Sequence, residues 1–306
     1  MRLNQRLKKL VLLAIAAVTL LTVAASCKKS GETPADTDSL PQIDSSADTV
    51  SDDPRAPGSI SYDDMMKKLG DASKINSYAK AWLTIPGTNI DYPVINDNDH
   101  KENNNYWLNR LLDGTESPNV YPNYDETVVY THEEAILDAD INKMSRNITL
   151  FGHNWDNINE PLRMNDPKDI MFAQLPMYAA DIDFAQENPY VYFSTSDNEM
   201  VWKIFCVMYC ETDWTQTVGI KYYLPNPNDS QMSILISEFR QRSMYEYNVD
   251  VKPSDKILTL STCTRVYPGM GDSQRYVVVA RLLRPDESDK DPVKVFQAIN
   301  YKEPVV

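Results

Sequence analysis

From Tyr62 to Leu283 the chain is written in short runs of β-branched and aromatic residues that stop at turn signals, a pattern that leaves few folds open. Ala81–Ile85 meets a Pro86-Gly87 turn and resumes at Ile90–Ile95, which predicts a hairpin-like pair of strands. Further strands are expected at Thr127–Thr131, Asn147–Gly152, Tyr190–Thr195, Met200–Cys210, Lys256–Cys263 and Tyr276–Leu283. Helices are inserted among them instead of alternating with them. Ser61, three residues before Asp64, fits a capping box for a short helix ending at Gly70, and a second short helix is expected over Ser73–Lys80. Between the late strands, Asp229–Ser243 carries Met232, Ile234, Leu235, Ile236 and Phe239 broadly at helical spacing. The fold class is therefore mostly β, a largely antiparallel barrel in preference to a doubly wound parallel sheet. One domain is expected over residues 61–285, followed by a polar tail over 286–306.

Composition narrows the function classes. Thirty Lys and Arg against 44 Asp and Glu give a net charge of −14, which disfavours a binder of nucleic-acid phosphates, because such binding needs clustered cations. Four cysteines in 306 residues exclude a disulfide-built miniprotein. Residues 1–27 carry Arg2, Arg6, Lys8 and Lys9, no acids, and an apolar run from Leu10 to Ala25, the arrangement of an export signal. The run is short for the roughly 20 residues that span a bilayer, so a cleaved signal and a short, tilted membrane anchor both remain open. Ala24-Ala25-Ser26-Cys27 resembles a lipobox, which makes Cys27 a lipidation candidate. All 44 acidic residues follow this segment. Residues 28–60 are rich in Ser, Asp, Thr and Pro and hold no aromatic residue, so they bury too little apolar area to offset chain entropy and read as a disordered tether.

Three residues carry the chemistry. His100 and His132 lie in polar, acid-flanked stretches, whereas His153 follows Ile148-Thr149-Leu150-Phe151 and Gly152, at the end of an expected strand where a substrate can approach. Cys263 ends the run Ile257-Leu258-Thr259-Leu260-Ser261-Thr262. Taken singly, each is an ordinary structural residue, and a free cysteine is usually a small core hydrophobe. Taken with Arg275, 12 residues after Cys263 and directly before Tyr276-Val277-Val278-Val279, they supply a nucleophile, a proton carrier and an oxyanion stabiliser. If the strands flanking that loop pair antiparallel, the end of one faces the start of the other and Cys263 meets Arg275. Arginine suits the role because its guanidinium stays protonated and offers several donors.

Thr259-Leu260-Ser261-Thr262-Cys263 matches the TLxTC signature of the sortases, and Leu150-Phe151-Gly152-His153-Asn154 resembles their strand carrying GH. Arg275 sits as their post-cysteine arginine does. The opening segment, Trp82-Leu83-Thr84-Ile85-Pro86-Gly87-Thr88 and then Ile90-Asp91-Tyr92-Pro93-Val94, is similar too, so the resemblance covers most of residues 75–283. The early helices and the helix at Asp229–Ser243 resemble the class B branch. This resemblance implies a closed sortase-type β-barrel of about eight strands and a cysteine transpeptidase that needs no cofactor and no metal. It implies cleavage of a C-terminal sorting motif of surface proteins through a thioester on Cys263, with transfer to an amine of a peptidoglycan precursor or a pilin. His153 would shuttle the proton, Arg275 would bind substrate or oxyanion, and Thr262 would help orient the nucleophile or Arg275. The domain would act on the extracytoplasmic face, held at the membrane by its N-terminus.

The sequence also departs from that pattern. Thr264 stands where an Asp is expected after the nucleophile, Arg265 competes with Arg275, and a lipobox-like Cys27 is unusual in a family held by an uncleaved helix. Cys263-Thr264-Arg265 echoes the Cys-x-Arg element of L,D-transpeptidases, although the His-Gly expected before that cysteine is missing. A catalytically silent exported binding protein is the other alternative. Cys206 and Cys210 sit four residues apart in an expected strand, roughly 13 Å and too far for a disulfide, and read as buried thiols. Asn96–Asn105 lacks the spaced loop of an EF-hand and reads as solvated, while Asn103-Asn104-Asn105-Tyr106-Trp107-Leu108 looks like a class B segment near the substrate groove.

Overall fold

The computed structural model describes residues 60–100, 106–117, 128–154, 157–159, 169–212 and 220–304. The residues read above as an export signal with Cys27, those read as a tether up to residue 59, and the asparagines at 103–105 lie outside them. Among the described residues no helix is long and apolar enough to cross a membrane.

The chain opens with helix α1 (Tyr62–Ile75), capped by Ser61, whose hydroxyl accepts from the Asp64 N–H. The expected break at Gly70 does not occur, and one helix of 14 residues replaces the two short ones. Burial of Met65, Leu69 and Ala72 on one face carries the helix across the glycine, a cost of about 1 kcal/mol relative to alanine. Asn76 ends it, donating its N–H to Ala72 O while its side chain reaches Tyr78 N and Leu112 O. Strands β1 (Ala79–Thr84) and β2 (Asp91–Ile95) follow as an antiparallel pair. The turn between them contains Gly87 at φ +70°, a conformation L side chains rarely adopt.

The remaining barrel strands are β3 (Val129–Thr131), β4 (Asn147–Phe151), β5 (Tyr190–Thr195) and β6 (Val201–Glu211). The late strands are β8 (Ile257–Cys263) and β9 (Gln274–Leu282). They close in the order β1-β2-β3-β4-β8-β9-β6-β5, with β5 returning to β1. Six of the eight joins are antiparallel; β2/β3 and β4/β8 are parallel. Short helices α2 (Met177–Ala180) and α3 (Ile182–Glu187) precede β5. Helix α4 (Asp229–Arg242) lies between β6 and β8, as its apolar spacing predicts, and Asn228 closes its capping box with Gln231.

Packing explains the composition of β6. Its residues from Trp202 to Glu211 are all buried, because one face lines the barrel interior and α4 covers the other. Met232, Leu235, Ile236 and Phe239 of α4 are buried in this layer, and the Cys206 thiol donates to Phe239 O at 3.2 Å. Beyond α4, β7 (Tyr245–Tyr247) pairs antiparallel with β10 (Val295–Gln297), so the polar stretch after Pro285 contains a strand and buries Val293 and Val295.

Candidate active site

The parallel β4/β8 join decides where the site lies. Parallel neighbours end on the same rim, and the register Phe151↔Ser261 places Gly152 and His153 beside Thr262 and Cys263. Two bonds fix that edge: Gly152 N–H donates to Ser261 O at 3.3 Å, and the Thr262 hydroxyl donates to Gly152 O at 2.7 Å. Strand β9 runs antiparallel to β8 and begins where β8 ends, so Cys263 and Arg275 are direct register partners. His153, Thr262, Cys263 and Arg275 all line one cavity of about 320 Å³. The structure thus brings His153, Cys263 and Arg275 to one cavity, and Thr262 stands beside them on the same rim.

Each side chain is held differently. Cys263 is half-buried, while Cys206 and Cys210 are fully buried, as expected of structural thiols. Burial raises both of these thiols, Cys210 to about 12, which suppresses their thiolates. His153 is buried and its Nε2 lies 2.7 Å from Leu108 O. Burial lowers the His153 pKa, the Leu108 hydrogen bond only partly offsetting it, so the imidazole is neutral near pH 7. Arg275 donates through Nη1 to Asp272 O at 2.7 Å and Gln274 O at 2.9 Å, which anchors the guanidinium at the cavity edge. Arg265 is instead ion-paired with Asp272 at 2.7 Å, half exposed, and is not among the cavity residues.

Thr264, which replaces the expected acid, is buried and donates to Ile158 O at 3.3 Å. It belongs to a clamp around the cysteine. Asn154 donates to Cys263 O at 3.1 Å and accepts from Asn157 N–H, and the Asn157 amide donates to Asp169 Oδ2 and Ala173 O. Above Gly152 lies the Phe172 ring, and Phe172 N–H donates to His153 O at 2.8 Å. Met171, just before it, has φ +53°, the one described non-glycine residue with positive φ.

Sequence reasoning missed the wall of the cavity. Tyr130, His132, Phe151, Tyr222 and Tyr223 line it, with Leu108 beside them. His132 is buried, stacked on Tyr223 at 5.2 Å, and its Nδ1 accepts from Glu134 N–H. Burial lowers its pKa despite the neighbouring Glu133 and Glu134. The signal was available: His132 directly follows an expected strand, as His153 follows another, but its acidic neighbours suggested a solvated loop. Asn96 and Asp97, in a stretch whose composition predicts a solvated loop, are buried instead, and the Asn96 amide donates to Thr131 Oγ1 and Ala135 O. Among the described residues no three His, Cys, Asp or Glu side chains cluster as a metal site.

Comparisons with known proteins converge. A family model described as a sortase domain matches residues 83–283. The chain is 28% identical over 200 residues to sortase B of Listeria monocytogenes serovar 1/2a, covering 64% of this chain and 67% of that protein. Its fold resembles the Staphylococcus aureus sortase B–substrate complex with a TM-score of 0.54 at 20% identity, over 72% of this chain and 86% of the other. Clostridium perfringens sortase B gives a TM-score of 0.53 at 23% identity, over 70% and 99% of the two chains.

Proposed function

The chain belongs to the sortase family of cysteine transpeptidases, and on that premise we propose that it cleaves a sorting motif of exported surface proteins through a thioester on Cys263 and passes the acyl group to an amine. The Cys263 sulfur attacks the scissile carbonyl carbon while its proton moves to His153. The carbonyl oxygen becomes an oxyanion that takes donors from Arg275. The C–N bond then breaks, His153 returns the proton to the leaving amine, and a thioester remains. An incoming amine attacks that carbon, losing a proton to His153, and the C–S bond breaks as the sulfur is protonated. Thioesters react readily with amines, and a partly desolvated groove favours the amine over water.

The observation that supports this reading is the meeting of Cys263 with Arg275 across β8/β9 on a rim shared with His153, all three facing one cavity. His153 begins neutral through burial, which suits a base that must accept the thiol proton. Thr262 acts by holding the Gly152 carbonyl and with it the backbone that presents His153. The amine belongs to a peptidoglycan precursor or a pilin, and the basic and apolar run at residues 1–27 supports action on the extracytoplasmic face, with the N-terminus as the attachment to the membrane.

Fluorogenic sorting peptides test this directly. Cys263→Ala is expected to abolish cleavage, Arg275→Ala to reduce kcat on the order of a hundredfold or more, and Arg265→Ala to leave it near wild type. Cleavage that survives Cys263→Ala, or that depends on Arg265 and not Arg275, overturns the assignment.

A further inference from the structure

Chemistry fixes which nitrogen of His153 carries hydrogen. A carbonyl oxygen only accepts, so the Nε2 that meets Leu108 O at 2.7 Å is protonated, and the neutral ring keeps its lone pair on Nδ1. A carboxylate often orients a proton-transferring imidazole. Here a main-chain oxygen orients it, and that oxygen is only as well placed as the segment that bears it.

The segment is residues 106–117, which folds back on itself through Ser117 N–H to Asn109 O and Gly114 N–H to Leu111 O. Trp107, next to Leu108, is buried, and its indole Nε1 donates to Asp97 Oδ2 at 2.9 Å. Asp97 lies two residues past the end of β2 and is itself buried. Its two oxygens divide the work. Oδ1 accepts from Asp99 N–H at 2.8 Å and His100 N–H at 3.2 Å, closing a turn on its own strand end. Oδ2 accepts from Trp107 and from His100 Nδ1 at 2.7 Å, and the His100 ring stacks on Tyr106 at 3.8 Å. One carboxylate therefore joins the rigid end of β2 to both Tyr106 and Trp107, immediately before the carbonyl that His153 contacts.

We infer that Asp97 is a positioning residue for the transfer reaction, setting the Leu108 carbonyl through Trp107 and thereby the tautomer and orientation of the His153 ring. This rests on His153 being the proton carrier proposed above. Asp97 is not among the residues that line the cavity with Cys263.

The substitution that isolates this role is Asp97→Asn. With its oxygen kept on the turn, the amide sets an N–H donor against the Trp107 N–H, so the Oδ2 arm is lost while shape is retained. Trp107→Phe removes the same bond from the other side. In the full chain each change is expected to lower kcat for peptide cleavage on the order of tenfold to a hundredfold with KM little changed, the scale of a slightly misplaced catalytic group. The double variant should be no slower than the slower single one, because both remove one link. Nitrogen-15 spectra of the imidazoles should show a single Nε2–H form for His153 in the wild type and a tautomer mixture in either variant. Wild-type rates in both variants, or slowed variants with an unchanged His153 spectrum, overturn the inference. If Asp97→Asn does not fold, Trp107→Phe decides alone. A folded wild type that cleaves no peptide contradicts the transpeptidase chemistry, and the tautomer comparison still judges Asp97.

Discussion

At the scale of single residues, Gly152 shows how tightly the site is built. A Cβ there would stand 2.7 Å from the Phe172 ring, closer than real side chains approach, and Phe172 is fully buried, directly after Met171 with its positive φ. The glycine is needed for space, not for an unusual backbone angle. Gly152→Ala is expected to destabilise the fold by about 1–3 kcal/mol through overpacking, measured by urea unfolding, and to slow peptide cleavage because His153 is the next residue. Unchanged stability would mean that Phe172 moves freely, and the ring would then have no part in fixing the rim. Cys263, His153 and Arg275 were legible in the sequence because each ends or begins a recognisable strand. Asp97 and Leu108 were not: one acts through side-chain oxygens within a stretch that reads as acidic loop, the other through a carbonyl that every residue possesses.

Among the elements, β6 and α4 pack against each other and are tied by a buried ion pair. Arg242, at the end of α4, pairs with Glu211, at the end of β6, at 3.1 Å, with both side chains almost completely buried. Glu211 is also the register partner of Gln274, next to Arg275, so this pair underlies the strand ends that carry the site. Arg242→Met strands a buried carboxylate and is expected to cost about 3–5 kcal/mol, with Glu211→Gln added to it recovering part of the loss. Thermal unfolding of the two variants checks this, and a single Arg242→Met variant as stable as the wild type would deny the pair its role. The long strands and α4 were readable from alternation, β-branching and helical spacing. The three-residue strands β7 and β10 were not, since pairing and burial of Val295 and Tyr247 create them, not any local pattern. The division of α1 at Gly70 failed for the same reason: tertiary burial outweighed a local propensity.

For the whole molecule, closure matters more than any one strand. A closed barrel has no free edge, and its strand ends keep fixed relations to one another. That is how residues 110 positions apart in the chain, His153 and Cys263, come to share a rim. The sequence indicated a barrel and an antiparallel β8/β9 join, but nothing local in it specified the parallel β4/β8 join, which depends on a long connection between the two strands. The chemistry proposed for that rim is tested most directly by mass spectrometry of the protein mixed with sorting-motif peptides and quenched in acid. A peptide fragment attached as a thioester to Cys263, released by an added amine, is the expected result. Cleaved peptide with no adduct on Cys263, or an adduct that an amine never discharges, would show that the rim does other work.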